Sequence, residues 1–120
     1  MGTILIIDDE PEIRLLLRMV LESDGHTITE ASDGFEGIKS FRESPVDVII
    51  TDLIMPGKEG LETISELKKE YPDIKIVAMS GGRQNHLETA KLLGATEVFK
   101  KPFENKELKL TIRRLLHGNE

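Results

Sequence analysis

The chain has 120 residues, a formal net charge of −6 at pH 7 and no cysteine, and its length suits one domain with a buried core. The negative charge makes nucleic acid and anionic lipid unfavourable direct partners, and the missing cysteine excludes disulfides and thiolate metal sites. No apolar stretch approaches the roughly 20 residues that cross a bilayer, so we expect a single domain over 1–120, in the cytoplasm and without a membrane partner.

The first part of the chain holds two strand–helix units. The apolar run 3–7 predicts a buried strand, and Pro11 suits the first turn of the following helix because its missing N–H is not needed there. The mixed segment 26–30 is typical of an edge strand, and Asp33-Gly34 opens a second helix. Helical spacing predicts the inward faces of these helices as Ile13, Leu16, Leu17, Val20 and Leu21 in the first, and Gly37, Ile38 and Phe41 in the second.

Three further units follow. The run 46–51 is apolar and rich in β-branched residues, which predicts a strand buried on both faces. The runs 74–79 and 97–100 predict two more strands, the second of them short and polar. Helices are predicted over 58–70, 85–93 and 105–116, with inward faces at Leu61, Ile64, Leu67, Leu108, Ile112 and Leu115. Gly94 is the candidate C-cap of the helix over 85–93.

Five strand–helix units in succession predict an α/β domain. Its parallel sheet is covered by helices on both faces, because the crossovers are right-handed and must pack on the sheet. The strands 3–7, 46–51 and 74–79 are the most continuously apolar and should be central, whereas 26–30 and 97–100 should lie at the edges. This arrangement matches the doubly wound, flavodoxin-like (βα)5 three-layer sandwich with strand order 2-1-3-4-5.

Polar residues stand where four of these strands end. Asp8 and Asp9 follow the first strand, Asp52 the third, Ser80 the fourth and Lys101 the fifth. Parallel strands end on one rim, where ligands of such sheets bind, and neighbouring strands lie about 4.8 Å apart. The three carboxylates should therefore converge and repel one another unless a cation lies among them. Oxygen-only ligands favour a hard divalent ion, Mg²⁺ above all; the alternative is a solvated acidic rim.

These groups suit phosphoryl transfer. An aspartate carboxylate can act as a nucleophile and form an acyl phosphate. A metal ion, a lysine and a hydroxyl can each stabilise phosphoryl oxygens. Asp52, at the end of an apolar strand buried on both faces, is the candidate nucleophile; the alternative is an aspartate that only opens a turn.

Four short motifs at these strand ends resemble a known signature. They are Asp8-Asp9, Asp52 with Met55-Pro56-Gly57, Ser80-Gly81 and Lys101-Pro102-Phe103. The set resembles the response-regulator receiver domain of two-component signal transduction and covers essentially the whole chain. The resemblance implies that Asp52 is the phosphoacceptor, that Ser80 is the switch hydroxyl and that Lys101 is the family's lysine. It also implies a cis peptide bond between Lys101 and Pro102.

The resemblance further implies a metal site. Asp9 would be a direct Mg²⁺ ligand and Asp8 would act mainly through metal-bound water. Asp52 and the backbone carbonyl of Ile54 would complete the protein ligands, and Mn²⁺ could replace Mg²⁺.

A receiver domain would act as a phosphorylation-controlled signalling switch. A sensor histidine kinase or phosphotransfer protein would donate the phosphoryl group to Asp52. The change would spread through helix 4, strand 5 and helix 5 to a downstream protein or output domain, and a phosphorylation-dependent dimer is compatible with this scheme. The domain would assist its own phosphorylation and dephosphorylation without being a turnover enzyme.

One position departs from the family pattern. The family often has Tyr or Phe three residues before the lysine, where this chain has Val98. Phe99 follows, but strand alternation should place Phe99 on the opposite face of the sheet. The sequence leaves open whether Val98 responds by smaller repacking or the output uses another route.

Two other classes of function remain as alternatives. One is a binding module of the same fold with a vestigial site, which Mg²⁺ binding would argue against. The other is an enzyme of similar fold. A flavodoxin-type flavin site needs a phosphate loop where this chain has Asp8-Asp9-Glu10, and a haloacid-dehalogenase-type phosphatase needs an Asp-x-Asp motif on the first strand, which is absent.

Overall fold

The computed structural model describes residues 1–53, 60–81 and 84–117, and within them strands and helices alternate along the chain. The strands are β1 (Thr3–Ile7), β2 (Thr27–Ala31), β3 (Val48–Asp52), β4 (Lys75–Ser80) and β5 (Glu97–Lys100). The helices are α1 (Pro11–Ser23), α2 (Gly34–Glu43), α3 (Gly60–Glu70), α4 (Gln84–Leu93) and α5 (Asn105–His117). None of the helices in these segments has both the length and the apolarity needed to span a membrane.

The strands form one parallel sheet in the order β2-β1-β3-β4-β5, which confirms the predicted topology. The two short or mixed strands, β2 and β5, lie at the edges as expected. Near the carboxyl edge the register pairs Ile7 with Thr51, Asp52 with Met79, and Ser80 with Lys100. The ends of β1, β3, β4 and β5 therefore meet at one edge of the sheet.

The central strands send alternate side chains to the two faces of the sheet and so form two cores. One core joins the strands to α2, α3 and α4 and includes Leu5, Ile7, Ile49, Ile64 and Leu67. The other joins them to α1 and α5 and includes Ile4, Ile6, Ile50, Leu17 and Ile112. Burial of each such side chain contributes about 1.5–3 kcal/mol, so the continuously apolar strands are stable only between two helical layers.

The helix ends near the sheet follow from local sequence. Asp33 is the N-cap of α2: its Oδ1 accepts a hydrogen bond from the Glu36 N–H at 2.8 Å, while Glu36 Oε1 accepts one from the Ser32 N–H at 2.9 Å. At the end of α4, Gly94 has a φ of +116°, and the N–H of Ala95 donates to the carbonyl of Ala90. This left-handed glycine closes the helix as a Schellman motif, which confirms the predicted C-cap.

The inward face predicted for α1 is too wide. Leu17, Val20 and Leu21 are buried, whereas Leu16 is 45% exposed. Leu16 instead lies with Ile13 beside a cavity of about 320 Å³ under the loop between β5 and α5. The prediction for Leu16 was wrong because helical spacing marks an apolar stripe, but the packed neighbours decide how much of the stripe is covered.

His26, immediately before β2, is a buried histidine that joins three parts of the chain. Its Nδ1 accepts a hydrogen bond from the Gly2 N–H at 3.2 Å, and its Nε2 lies 3.6 Å from Asp24 Oδ2. Arg113 on α5 donates to Asp24, with Nε 2.8 Å from Oδ2. Burial lowers the pKa of His26 from its ordinary value of 6.5, while the nearby Asp24 carboxylate opposes this shift.

We expect the free energy of unfolding to fall as the pH drops below about 6.5, because the unfolded imidazole binds a proton that the buried one resists. Above that pH the contribution of His26 is constant. His26→Gln should flatten the dependence between about pH 7 and 5, a window that lies above the titration of the carboxylates. Urea unfolding of both proteins across this window measures the effect. Equal slopes for both would show that another group is responsible.

Candidate functional site

The carboxyl edge of the sheet brings four acidic residues together. Asp8, Asp9 and Glu10 follow β1, and Asp52 is the last residue of β3. One carboxylate oxygen from each of these four residues lies within 4.8 Å of the others. Asp8 is 0% exposed and Asp52 is 5% exposed, so part of this negative charge is held away from water. The predicted convergence of Asp8, Asp9 and Asp52 is present in the structure.

A cation, the ammonium group of Lys101, faces these carboxylates. Its Nζ lies 3.5 Å from Asp8 Oδ2 and 3.7 Å from Asp52 Oδ2. The backbone N–H of Lys101 donates to the carbonyl of Ser80 at 2.9 Å, so the ladder between β4 and β5 extends to the residue that carries the ammonium group. The Lys101–Pro102 peptide bond is cis, as the resemblance implied.

Ser80 is the last residue of β4 and is buried. It lies one residue beyond Met79, the register partner of Asp52. Gly81, which follows it, lies against Lys101: a Cβ added to Gly81 would be 3.6 Å from the Lys101 Cβ. The ends of β3, β4 and β5 thus bring Asp52, Ser80 and Lys101 to the same part of the edge.

The remaining predicted residue, Ile54, lies outside the described residues, as does the Met55-Pro56-Gly57 motif. The metal-ligand role predicted for the Ile54 carbonyl therefore stays a prediction.

Glu10 is a member of the cluster that the sequence analysis did not assign. In the sequence, Glu10 enters only as part of the Asp8-Asp9-Glu10 stretch that stands where a flavin site would need a phosphate loop. The available signal was its position as the third acidic residue directly after a buried strand. Its backbone N–H donates to Asp8 Oδ1 at 2.9 Å, so the same turn that orients Asp8 carries the Glu10 carboxylate to the cleft.

The charge balance of the cleft is compatible with a divalent metal ion. Among the described residues, four carboxylates face the ammonium group of Lys101. Asp8 Oδ2 is buried and has no hydrogen-bond partner among the described residues. Carboxylates held this close raise one another's energy unless a cation lies among them, and oxygen-only ligands suit a hard divalent ion. The residues present therefore fit such an ion.

Val98 and Phe99 lie on opposite faces of the sheet, as strand alternation predicted. Val98 packs against the core that contains Ala90 of α4, whereas Phe99 belongs to the core on the α1 and α5 side. Phe99 contacts Phe103 there, with 5.8 Å between the ring centroids. Phe99 therefore does not replace the missing aromatic residue at position 98.

The known proteins to which this chain is similar include response regulators and a receiver domain protein. The family model of the response regulator receiver domain matches residues 4–113. The chain is 37% identical over 122 residues to the response regulator GtcR of Aneurinibacillus migulanus, a match that covers 98% of this chain and 50% of GtcR. The chain thus spans about half of that relative, and it spans smaller fractions of several others.

Two solved structures are similar over almost their full lengths. A response regulator receiver domain protein from Clostridium thermocellum has a TM-score of 0.92 and 32% identity, covering 98% of this chain and 95% of that one. The response regulator TrrA from Thermotoga maritima, solved in complex with Mg²⁺–BeF, has a TM-score of 0.88 and 36% identity, covering 96% and 99%. Proteins of this kind are phosphoacceptors rather than turnover enzymes. On this match of sequence and fold, the chain belongs to the response regulator receiver domain family.

Proposed function

We propose that this domain is a phosphorylation-controlled signalling switch that receives a phosphoryl group on Asp52. The observation that carries the proposal is the cleft itself. Four carboxylates lie within 4.8 Å of one another, and an ammonium group lies 3.7 Å from Asp52 Oδ2 at the carboxyl edge of the sheet. We further propose that residues 1–120 are a single receiver domain that acts in the cytoplasm.

The donor in this proposal is a phosphohistidine on a sensor histidine kinase or phosphotransfer protein. A carboxylate oxygen of Asp52 attacks the phosphorus, a P–O bond forms, and the P–N bond to the histidine breaks. The departing imidazole nitrogen then takes a proton. Lys101 pairs with one phosphoryl oxygen, and the Ser80 hydroxyl donates to another.

Asp8, Asp9, Asp52 and the Ile54 carbonyl are the residues that would hold Mg²⁺, or Mn²⁺ in its place. Glu10 adds a fourth carboxylate to their surroundings. The bound ion would neutralise charge on the phosphoryl oxygens. Asp8 is fixed by its contact with the Glu10 N–H, which keeps its second oxygen directed at the cleft.

The new charge on Asp52 would draw Ser80 and the start of the following loop towards the cleft. That movement would shift an equilibrium between two arrangements of α4, β5 and α5. A downstream protein or an output domain would bind one arrangement better, and a dimer formed on phosphorylation is one form this partner could take. Val98, with its smaller side chain, would respond by repacking against α4.

Incubation with acetyl phosphate and Mg²⁺ tests the proposal. We expect intact-mass spectrometry to show one added phosphoryl group, and we expect excess EDTA to prevent the addition because the carboxylates would then repel the donor. Restoring Mg²⁺ after EDTA treatment should restore the adduct. A chain that gains no phosphoryl group and binds no Mg²⁺ would instead fit a vestigial binding module.

A further inference from the structure

Arg14, in the second turn of α1, joins the loop that carries Asp8 to strand β2. Its Nη1 donates to the backbone carbonyl of Asp8 at 2.6 Å, and its Nε donates to Glu30 Oε1 at 3.0 Å. The Arg14 side chain is only 18% exposed. One guanidinium group therefore bridges Asp8, at the start of the acidic loop, and Glu30, near the carboxyl end of the edge strand β2.

Glu30 is itself held in place. Arg18, one helical turn beyond Arg14, donates to the other carboxylate oxygen of Glu30 and also to Glu22 Oε2, the latter at 2.8 Å. The hydrogen bond from Arg18, and then that from Arg14, lower the pKa of Glu30 against the opposing effect of burial. Arg14 is therefore paired with a carboxylate to which Arg18 also donates a hydrogen bond.

The polar atoms of Asp8 are almost all engaged by this surrounding structure. Its N–H donates to the Ala31 carbonyl at 3.1 Å, its carbonyl accepts from Arg14, and its Oδ1 accepts from the Glu10 N–H at 2.9 Å. Only Oδ2 has no hydrogen-bond partner among the described residues, and it lies 3.5 Å from Lys101 Nζ. The backbone of Asp8 is thus fixed on both sides, and one oxygen is left to face the cleft.

We propose that Arg14 is a positioning residue for the divalent-cation site. It holds the carbonyl of Asp8 against β2 and thereby orients Oδ2 and the following Asp9 towards the ion. The inference rests on the proposed metal-dependent function. Mutation of a residue that forms a hydrogen bond to a metal ligand typically lowers metal affinity by about 10–100-fold.

Whether replacing Arg14 weakens or strengthens Mg²⁺ binding separates a positioning role from simple charge repulsion. Arg14 is a cation close to the proposed Mg²⁺ site, so Coulomb repulsion alone predicts that removing its charge strengthens Mg²⁺ binding. Positioning predicts the opposite, because Asp8 loses its fixed orientation. Arg18→Met is a matched control: it removes the same charge and also a partner of Glu30, but Arg18 has no hydrogen bond to Asp8 among those described.

Isothermal titration of the full chain with Mg²⁺ alone tests the proposal, with thermal unfolding measured on each variant. We expect Arg14→Met to raise the Kd for Mg²⁺ by about tenfold or more, and Arg18→Met to leave it unchanged or lower it. Arg14→Lys keeps the positive charge, but an ammonium group lacks the planar guanidinium that donates to Asp8 and Glu30 at the same time. Its Kd for Mg²⁺ should therefore also rise. In amide NMR spectra, Arg14→Met should shift the Glu10 signal, which reports the bond to Asp8 Oδ1.

The failure of this inference and of the proposed function would look different. If the wild-type chain does not bind Mg²⁺, the proposed function fails and the positioning role fails with it. If the wild-type chain binds Mg²⁺ and a folded Arg14→Met protein binds it equally well or better, the positioning role is overturned while the metal site stands. Should Arg14→Met not fold, an unchanged Kd for Arg14→Lys overturns it equally.

Discussion

Replacement of Asp52 by asparagine is expected to abolish the phosphoryl group that the wild-type chain gains from acetyl phosphate and Mg²⁺. The amide has almost the same shape as the carboxylate, so the buried end of β3 should remain folded. It lacks the anionic oxygen that attacks phosphorus and removes one negative ligand from the cleft. Intact-mass spectrometry of both proteins after the same incubation measures the result, which we expect to be a complete loss of the adduct.

Asp47→Asn supplies the matched control for this substitution. Asp47 is an exposed aspartate before β3, at the opposite edge of the sheet, where its Oδ2 accepts a hydrogen bond from the Thr3 N–H at 2.9 Å. The Asp47→Asn protein should gain the phosphoryl group as the wild type does. If Asp52→Asn still became phosphorylated, and peptide mapping placed the group on Asp8 or Asp9, the assignment of the acceptor would be wrong although the cleft would remain the reactive site.

Replacement of Gly60 by alanine should lower the free energy of unfolding by about 3 kcal/mol, the upper part of the usual range for overpacking. Gly60 is the first residue of α3, and its N–H donates to the Leu53 carbonyl at 3.2 Å. An added Cβ would lie 2.1 Å from the Asp52 carbonyl oxygen and 2.6 Å from the Leu53 Cα. Because both are backbone atoms, relief requires moving α3 or the residue proposed as phosphoacceptor.

Two other glycines calibrate this prediction. At Gly37 an added Cβ would lie 2.4 Å from Ile7 Cδ1, the end of a flexible side chain, and at Gly81 it would lie 3.6 Å from the Lys101 Cβ, an ordinary contact. Gly37→Ala also gains helix propensity of about 1 kcal/mol, which offsets part of its clash. Urea unfolding should therefore rank the losses with Gly60→Ala far above the other two. A Gly60→Ala protein as stable as Gly81→Ala would contradict the packing described at the end of β3.

Phosphorylation of the Gly60→Ala protein adds a second measurement. If the alanine displaces the backbone of Asp52, phosphoryl uptake should be slower even at temperatures where the protein is fully folded. Gly37→Ala lies in α2, and its added Cβ would meet the flexible end of the Ile7 side chain rather than a backbone atom, so its uptake should stay close to that of the wild type. A difference between these two variants would link the start of α3 to the reactivity of Asp52.

The fold and most of the cleft could be predicted from the sequence because their signals are local. Apolar runs, turn residues and helical spacing each depend on a few neighbouring positions, and five strand–helix units permit few topologies once crossovers are right-handed. The relative polarity of the runs then placed 26–30 and 97–100 at the edges. With the order known, the residues at the strand ends had to meet at one edge, which is why Asp52 and Lys101 were found together.

The tertiary structure alone decided which side chains connect distant elements, both at the cleft and at the opposite edge of the sheet. Arg14 reaches Asp8 and Glu30, and Arg113 reaches Asp24 across the chain, because long guanidinium side chains bridge elements whose packing no local pattern encodes. Leu16 has the spacing of a core residue, yet it is 45% exposed because no element in the described parts of the chain covers it fully. Local periodicity determines what each segment is, whereas the contacts between segments depend on how closely the folded layers approach one another.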